Sequence, residues 1–188
     1  LAESFDTVGL FARDVSDVAF LASILSRRPA LRFDDDMAGP TAIGLCRTHE
    51  WAAADADVET VLDTAARLAS AAGCHIRDVS LPDPFSKLAD AQALIVDVEA
   101  ARSAAHDLNV HRERVSESFV KRAEAGLATT AENYDAALGI TERARGALDA
   151  ALDGLDVLLC PSAPGQAPEG LHATGDPIFN RTGTALRI

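Results

Sequence analysis

An α/β fold, a partial mixed sheet with flanking helices, is what the 188-residue sequence predicts, and three observations carry that reading. Short apolar runs alternate with segments whose apolar residues recur at helical spacing, the pattern of an α/β chain. Between Thr41 and Leu81 a strand, a helix and a second strand follow one another over about 40 residues, which implies a crossover joining parallel strands. Only about three strands are legible, fewer than the roughly four to six of an ordinary sheet, so the sheet is incomplete.

Taken in order, Asp14 is placed to cap a first helix, in which Val18, Leu21, Ala22 and Leu25 make one apolar face and which Pro29 closes. Residues 30–40, with Asp34, Asp35, Asp36 and the Gly39-Pro40 pair, read as an exposed loop. Thr41 to Cys46 is a short apolar strand. Asp55 or Asp57 caps the next helix, whose stripe of Val58, Val61, Leu62, Ala65, Leu68, Ala69 and Ala72 ends at Gly73. Cys74 to Leu81 is the second strand, after which Pro82 and Pro84 break the chain. From Ser86 to about Leu152 the character is helical, in three helices interrupted near Asn109 and Gly126. Asp156 to Cys160 forms a third strand between Gly154 and Pro161, and residues 161–183, rich in Pro and Gly, read as a loop of the length that is often functional. No internal repeat and no compositional divide separates the chain into halves, so residues 1–188 are expected to form a single domain.

Composition bounds the function. At this length roughly 70% of the unfolded surface can be buried, enough for a real core. Apolar residues make up 48% of the chain but aromatic ones only 5%, which favours closely packed alanine-rich helices over a broad aromatic pocket. A formal charge of −12, from 29 acidic and 17 basic side chains, repels phosphate backbones and anionic membranes, so nucleic acid and membrane are not expected partners. The Asp34–Asp36 run lacks the Gly and Glu spacing of a calcium loop and reads as a solvated turn. Cys46, Cys74 and Cys160 are scattered without a CxxC, as reduced cysteines of a cytoplasmic protein are. No apolar run approaches the length that spans a bilayer, and residues 1–30 lack the zones of a signal peptide.

The run Ser4 to Asp17, SFDTVGLFARDVSD, is the most informative in the chain. It resembles the amidase signature family, whose members carry Asp-x-x-Gly-Pro-x-x-Arg and then a helix at this point. Ser4, Asp6, Thr7, Val8, Gly9, Ala12, Arg13, Val15 and Asp17 fit, whereas Leu10 stands where that family has proline. A second block, Asp156 to Ser162, is similar to the family's Asp-x-Leu-Leu-x-Pro-Thr strand, with Ser162 in place of threonine. Ala167-Pro168 and Thr174 to Arg181 resemble the loop that passes beside the acyl-side pocket in stand-alone amidases, and Thr184-Ala185-Leu186 fits its continuation. Two blocks in the right order are more specific than either alone; the helices between them are generic.

The resemblance implies amide hydrolysis through a Ser–cis-Ser–Lys relay, with no cofactor and no metal, and with a Gly/Ser-rich loop that lies upstream of the matched region. Such chemistry needs a nucleophile beside a base and donors where the oxyanion forms. These 188 residues contain only Lys87 and Lys121, both in amphipathic helical surroundings without a serine-rich loop, where solvated surface lysines are expected. The expectation is therefore the C-terminal part of an amidase-like α/β domain, truncated at both ends, with no catalytic residue of its own and inactive alone. Within it Pro161, Ser162, Phe179 and Asn180 are the residues expected to touch a small-molecule amide substrate, since they sit on the long loop after a sheet strand. Asp6, Gly9 and Arg13 are expected to support the site, either by hydrogen-bonding the nucleophile loop or as a local ion pair holding the turn.

Competing constellations are weaker. Cys160 with His172 and Asp176 suggests a thiol nucleophile, but Cys160 in an apolar strand reads as a buried structural cysteine. His106 and His111, five apart, do not share a helical face, and His75 reads as a surface or hydrogen-bonded histidine. There is no phosphate-binding Walker loop and no GxGxxG. The alternative function is a non-catalytic, amidase-derived module that binds another protein, or a second copy of itself as a homo-oligomer, through an open sheet edge.

Overall fold

The computed structural model describes residues 1–32 and 41–187. Asp34–Asp36 and Gly39-Pro40 lie outside the described residues. The chain divides into two compact units, one of Asp6–Pro40 and one of Leu1–Phe5 with Thr41–Ile188.

The smaller unit contains helix α1 (Val15–Leu25), and Asp14 caps it as the sequence suggests, its carboxylate accepting from Asp17 N at 3.0 Å. The helix stops at Ser26, whose N–H and hydroxyl both donate to Ala22 O. Arg27 then takes a left-handed φ of 56°, and Pro29 opens a short 3₁₀ turn. Of the expected apolar face, Val18 and Ala22 are half-buried while Leu21 and Leu25 stay exposed.

The larger unit is built on a parallel three-stranded sheet in the order β2-β1-β3, comprising β1 (Ala42–Cys46), β2 (His75–Val79) and β3 (Val157–Leu159). Helix α2 (Ala56–Ala71) makes the β1-to-β2 crossover and ends where Gly73 adopts φ 95°, a conformation that glycine reaches without a side-chain penalty. Side chains alternate across β1. Leu45 packs with Leu62 and Ala66 of α2, whereas Cys46 faces the larger core of Phe85, Leu88, Ile95, Ala137 and Ala144.

That larger core is supplied by α3 (Leu88–Ser103), which packs against α5 (Glu117–Ala128), α6 (Ala131–Ala151) and α7 (Ile178–Leu186); α4 (Ala105–Val110) continues from its end. The expected three helices between Ser86 and Leu152 are thus four. The interruption near Asn109 is present, since α4 stops at Val110, but Gly126 lies inside α5 and interrupts nothing. Its missing side chain serves packing: a Cβ there would overlap the Asp97 carbonyl and come within 2.9 Å of Val98 N on α3. The real break follows at Thr130, whose hydroxyl accepts from Asn133 N at 3.2 Å and caps α6.

A second correction concerns residues 161–183, read as one loop. From Ile178 onward the chain is helix α7, because Phe179, Thr182, Ala185 and Leu186 form a stripe that buries against the core. Asp176 starts it, its carboxylate accepting from Ile178 N at 3.0 Å.

The N-terminal residues of the larger unit are held by a polar knot in the helical layer. Glu99 of α3, only 9% exposed, accepts from Ser4 N at 2.9 Å, from the Ser4 hydroxyl and from the Tyr134 hydroxyl of α6 at 2.8 Å. The Arg102 guanidinium lies 4.6 Å from the centre of the Tyr134 ring.

Candidate functional site at the carboxyl ends of the strands

Parallel strands all point their carboxyl ends the same way, and in open α/β sheets ligands bind beyond those ends. Here β1 runs into Arg47-Thr48, β2 into Ser80-Leu81 and β3 into Cys160-Pro161. A cleft of about 600 Å³ follows β3 to this edge, with Thr48, Leu81, Pro161, Phe179, Asn180 and Thr182 in its walls. A second concavity, about 540 Å³, lies on the other side of Asn180 and includes Ser162, Gln166 and Asp176. A third, about 330 Å³, sets Pro161 and Ser162 against Val58, Val61 and Leu62 of α2. Pro161, Ser162, Phe179 and Asn180 thus each line at least one of these three concavities.

Their roles in the surface differ. Pro161 and Phe179 are buried, Phe179 to 3% exposure, and make the apolar floor; Ser162 and Asn180 are exposed and offer polar atoms above it. The loop between them is fixed to the start of α2. Asp55 N donates to Pro164 O at 2.7 Å, and Gln166 Nε2 donates to Asp57 Oδ2 at 3.1 Å. A side chain at Gly165 would run into the Asp55 carboxylate, so glycine permits this close approach. Asp55 occupies the N-cap position of α2 without a side-chain capping bond. Helix α7 is anchored from behind by Arg145 of α6, whose Nε donates to Ala185 O at 2.9 Å.

Two residues of the cleft escaped the sequence reading. Thr48 and Thr182 are buried, and neither hydroxyl oxygen has a hydrogen-bond partner among the described residues. Buried hydroxyls are ordinarily paired, so these two are the polar atoms of the cleft most in want of a partner. Nothing in the sequence marks Thr48, which matters only because the end of β1 lies beside the end of β3.

A family model described as Amidase matches residues 1–182. The chain belongs to the amidase family. A solved structure titled "Crystal structure of amidase" is 26% identical, with a TM-score of 0.79 over 93% of this chain and 42% of that one. A bacterial aryl acylamidase of the amidase signature family shares the fold at 16% identity, with a TM-score of 0.61, covering 85% of this chain and 39% of the other. This amidase-family chain thus spans about two fifths of the length of those solved structures. No curated protein matches it.

The remaining candidates can be placed in the same amidase frame. Asp6, Gly9 and Arg13 all lie in the smaller unit ahead of α1 and are exposed. Lys87 is exposed at the start of α3, and Lys121 is exposed and ion-paired with Glu117 at 2.8 Å, so both are solvated surface cations. Cys160 is exposed, contrary to the buried position expected of it, because β3 is an edge strand. Desolvation of its sulfur still pushes the thiol up, which works against a thiolate nucleophile. The other two members of that constellation are committed elsewhere or solvated: Asp176 holds Ile178 N and lies 3.6 Å from Arg181, and His172 is exposed. His106 and His111 do meet, ring centres 6.0 Å apart and edge to face, because α4 ends between them and turns His111 back. Among the described residues no group of three or more His, Cys, Asp or Glu is arranged to hold a metal. No described helix is long and apolar enough to cross a membrane.

Proposed function

We propose that this chain contributes the helical layer, part of the sheet and one wall of the substrate pocket to a hydrolase that cleaves a carboxylic amide C–N bond. The observation that carries the reading is the convergence of Pro161, Ser162, Phe179 and Asn180 on the cavities at the carboxyl ends of the parallel strands, in a chain of the amidase family. Pro161 and Phe179 shape an apolar floor for the acyl part of a small-molecule amide. Ser162 and Asn180 supply hydrogen bonds that orient its polar end, the few placed polar groups that a mostly apolar pocket uses for specificity. Asp6, Gly9 and Arg13 support the loop that carries the nucleophile. The relay itself, Ser–cis-Ser–Lys, belongs to the part of the protein outside this chain.

Two measurements test this. The purified 188-residue polypeptide should release no ammonia from simple aliphatic or aromatic amides, and turnover abolished by a serine-directed inhibitor would show that it carries its own nucleophile. In the protein containing the relay, Asn180→Ala should raise KM or lower kcat/KM by about tenfold, the worth of one lost orienting hydrogen bond. Unchanged kinetics in that variant would remove Asn180 from the pocket.

A second reading, an amidase-derived module that binds protein, draws on one specific feature. In the order β2-β1-β3 both outer strands have a free edge among the described residues, and a free edge is a template for another strand. Continuation of the open reading frame upstream into a Gly/Ser-rich loop favours the enzyme; a start codon near Leu1 favours the module.

A further inference from the structure

At the carboxyl edge of the sheet one cysteine ends β1 and another follows β3, and the amide chemistry proposed above uses neither. The β1–β3 ladder ends at the pair Leu45 and Leu159; Cys46 is the last residue of β1, and Cys160 is the first residue after β3. Neighbouring strands lie about 4.8 Å apart. That falls inside the Cα separation of roughly 4.4–6.8 Å over which a disulfide forms.

Strand alternation, carried one residue past the end of the ladder, puts both cysteines on one face. Leu45 and Leu159 pack together on the α2 side, so the residue after each turns the other way. Cys46 is accordingly in the core on the opposite side, where Leu158, two residues before Cys160, packs as well. The electrostatics agree: burial first, and then the Cys160 charge, push the Cys46 thiol up to about 11. Access is unequal, because Cys46 is fully buried while Cys160 is exposed. Cys74 stands apart, just before β2 and beside the opposite, amino end of β1.

We propose that Cys46 and Cys160 form a dithiol modification site, closed to a disulfide by a peroxide-class oxidant that enters through Cys160. Desolvation keeps Cys160 mainly a thiol, so this oxidation is slow; through the small thiolate fraction, peroxide takes two electrons from the Cys160 sulfur, giving the sulfenic acid and, with the thiol's proton, one water. Cys46 sulfur then attacks the Cys160 sulfur as it loses its proton; the S–O bond breaks, and the departing hydroxide takes that proton to leave as a second water. Two thiols and one peroxide become one disulfide and two waters. The bridge ties the end of β3 to β1 and so fixes Pro161 and Ser162 against the sheet.

The test reads a covalent bond and is independent of amide hydrolysis. The native protein is exposed to hydrogen peroxide, its remaining thiols are alkylated under denaturing conditions, and non-reduced peptides are mapped by mass spectrometry. A peptide pair joined through Cys46 and Cys160, two hydrogens lighter than its separate halves, with Cys74 alkylated and the pair released by dithiothreitol, is the expected result. Cys74→Ser should leave the linkage intact, and Cys160→Ser, a change at an exposed position, should abolish it with Cys46 recovered as the alkylated thiol. Cys160 recovered as sulfinic acid with Cys46 free, a Cys160–Cys160 link between chains, or a link to Cys74 would each overturn the assignment.

Discussion

At Gly126 two physical effects of opposite sign compete, and the geometry decides between them. Replacing a glycine inside a helix by alanine gains about 1 kcal/mol of helix propensity. Here, however, the added methyl would meet the Asp97 carbonyl and the Val98 N–H, both main-chain atoms of α3 that move only with the whole helix. Overpacking of this kind costs about 1–3 kcal/mol and more where backbone must shift. Gly126→Ala should therefore lower the urea midpoint. Gly146, exposed in α6 and with no atom of the described residues within 4 Å of where an alanine methyl would sit, provides the contrast. Gly146→Ala should raise stability by about 0.5–1 kcal/mol in the same titration. If both variants shift the same way, the close approach of α5 to α3 is not what keeps Gly126 small.

Helix α7 carries Phe179 and Asn180 to the cleft, so its stability is a condition for the site. Its sequence is poor in helix formers, with Asn180, Thr182, Gly183 and Thr184 in nine residues, and it forms because one stripe buries and because Asp176 satisfies an N-terminal N–H. The exposed Asp176–Arg181 contact at 3.6 Å adds little. Asp176→Ala should cost about 0.5–2 kcal/mol, with Asp176→Asn nearer to the parent. Faster amide hydrogen exchange in α7 than in α3 would locate the loss. The same helix shows where sequence reading stops. Strands β1 and β3 were legible as short apolar runs between breakers, β2 by its place after the helix that stops at Gly73, and α1 and α2 by their caps and stripes. Pro and Gly around residues 161–177 masked the spacing of Phe179, Thr182 and Leu186, which is helical. Gly126 read as a breaker because a sequence does not show what lies opposite a missing side chain. The site followed the same rule: Pro161 and Ser162 were legible as the end of a strand, whereas Thr48 acquires meaning only when β1 and β3 are side by side.

Over the whole molecule, one carboxylate links segments far apart in sequence, since Ser4 and Glu99 are separated by 95 residues and Glu99 and Tyr134 by 35. Burial pushes the Glu99 carboxyl up, but the Ser4 hydroxyl and N–H, the Tyr134 hydroxyl and the Arg102 charge outweigh it, and the net position is below the ordinary 4.5. The Tyr134 phenol is correspondingly raised, by burial and then by Glu99. A carboxyl whose folded pKa is depressed binds fewer protons in the native state than in the unfolded one. Its stabilisation is thus complete above about 4.5 and fades as pH falls through the lower folded value. The formal charge of −12 changes over the same range, so the native protein alone does not isolate the effect. Glu99→Gln does, because it removes one titrating group and leaves the rest. At pH 7 the variant should be less stable by about 1.5–3 kcal/mol, the worth of hydrogen bonds to a charged group. The gap between parent and variant in urea titrations should shrink steadily below pH 4.5. A gap that stays constant from pH 7 to about pH 3 would mean that the shape of Glu99, and not its charge, ties Leu1–Phe5 to α3 and α6.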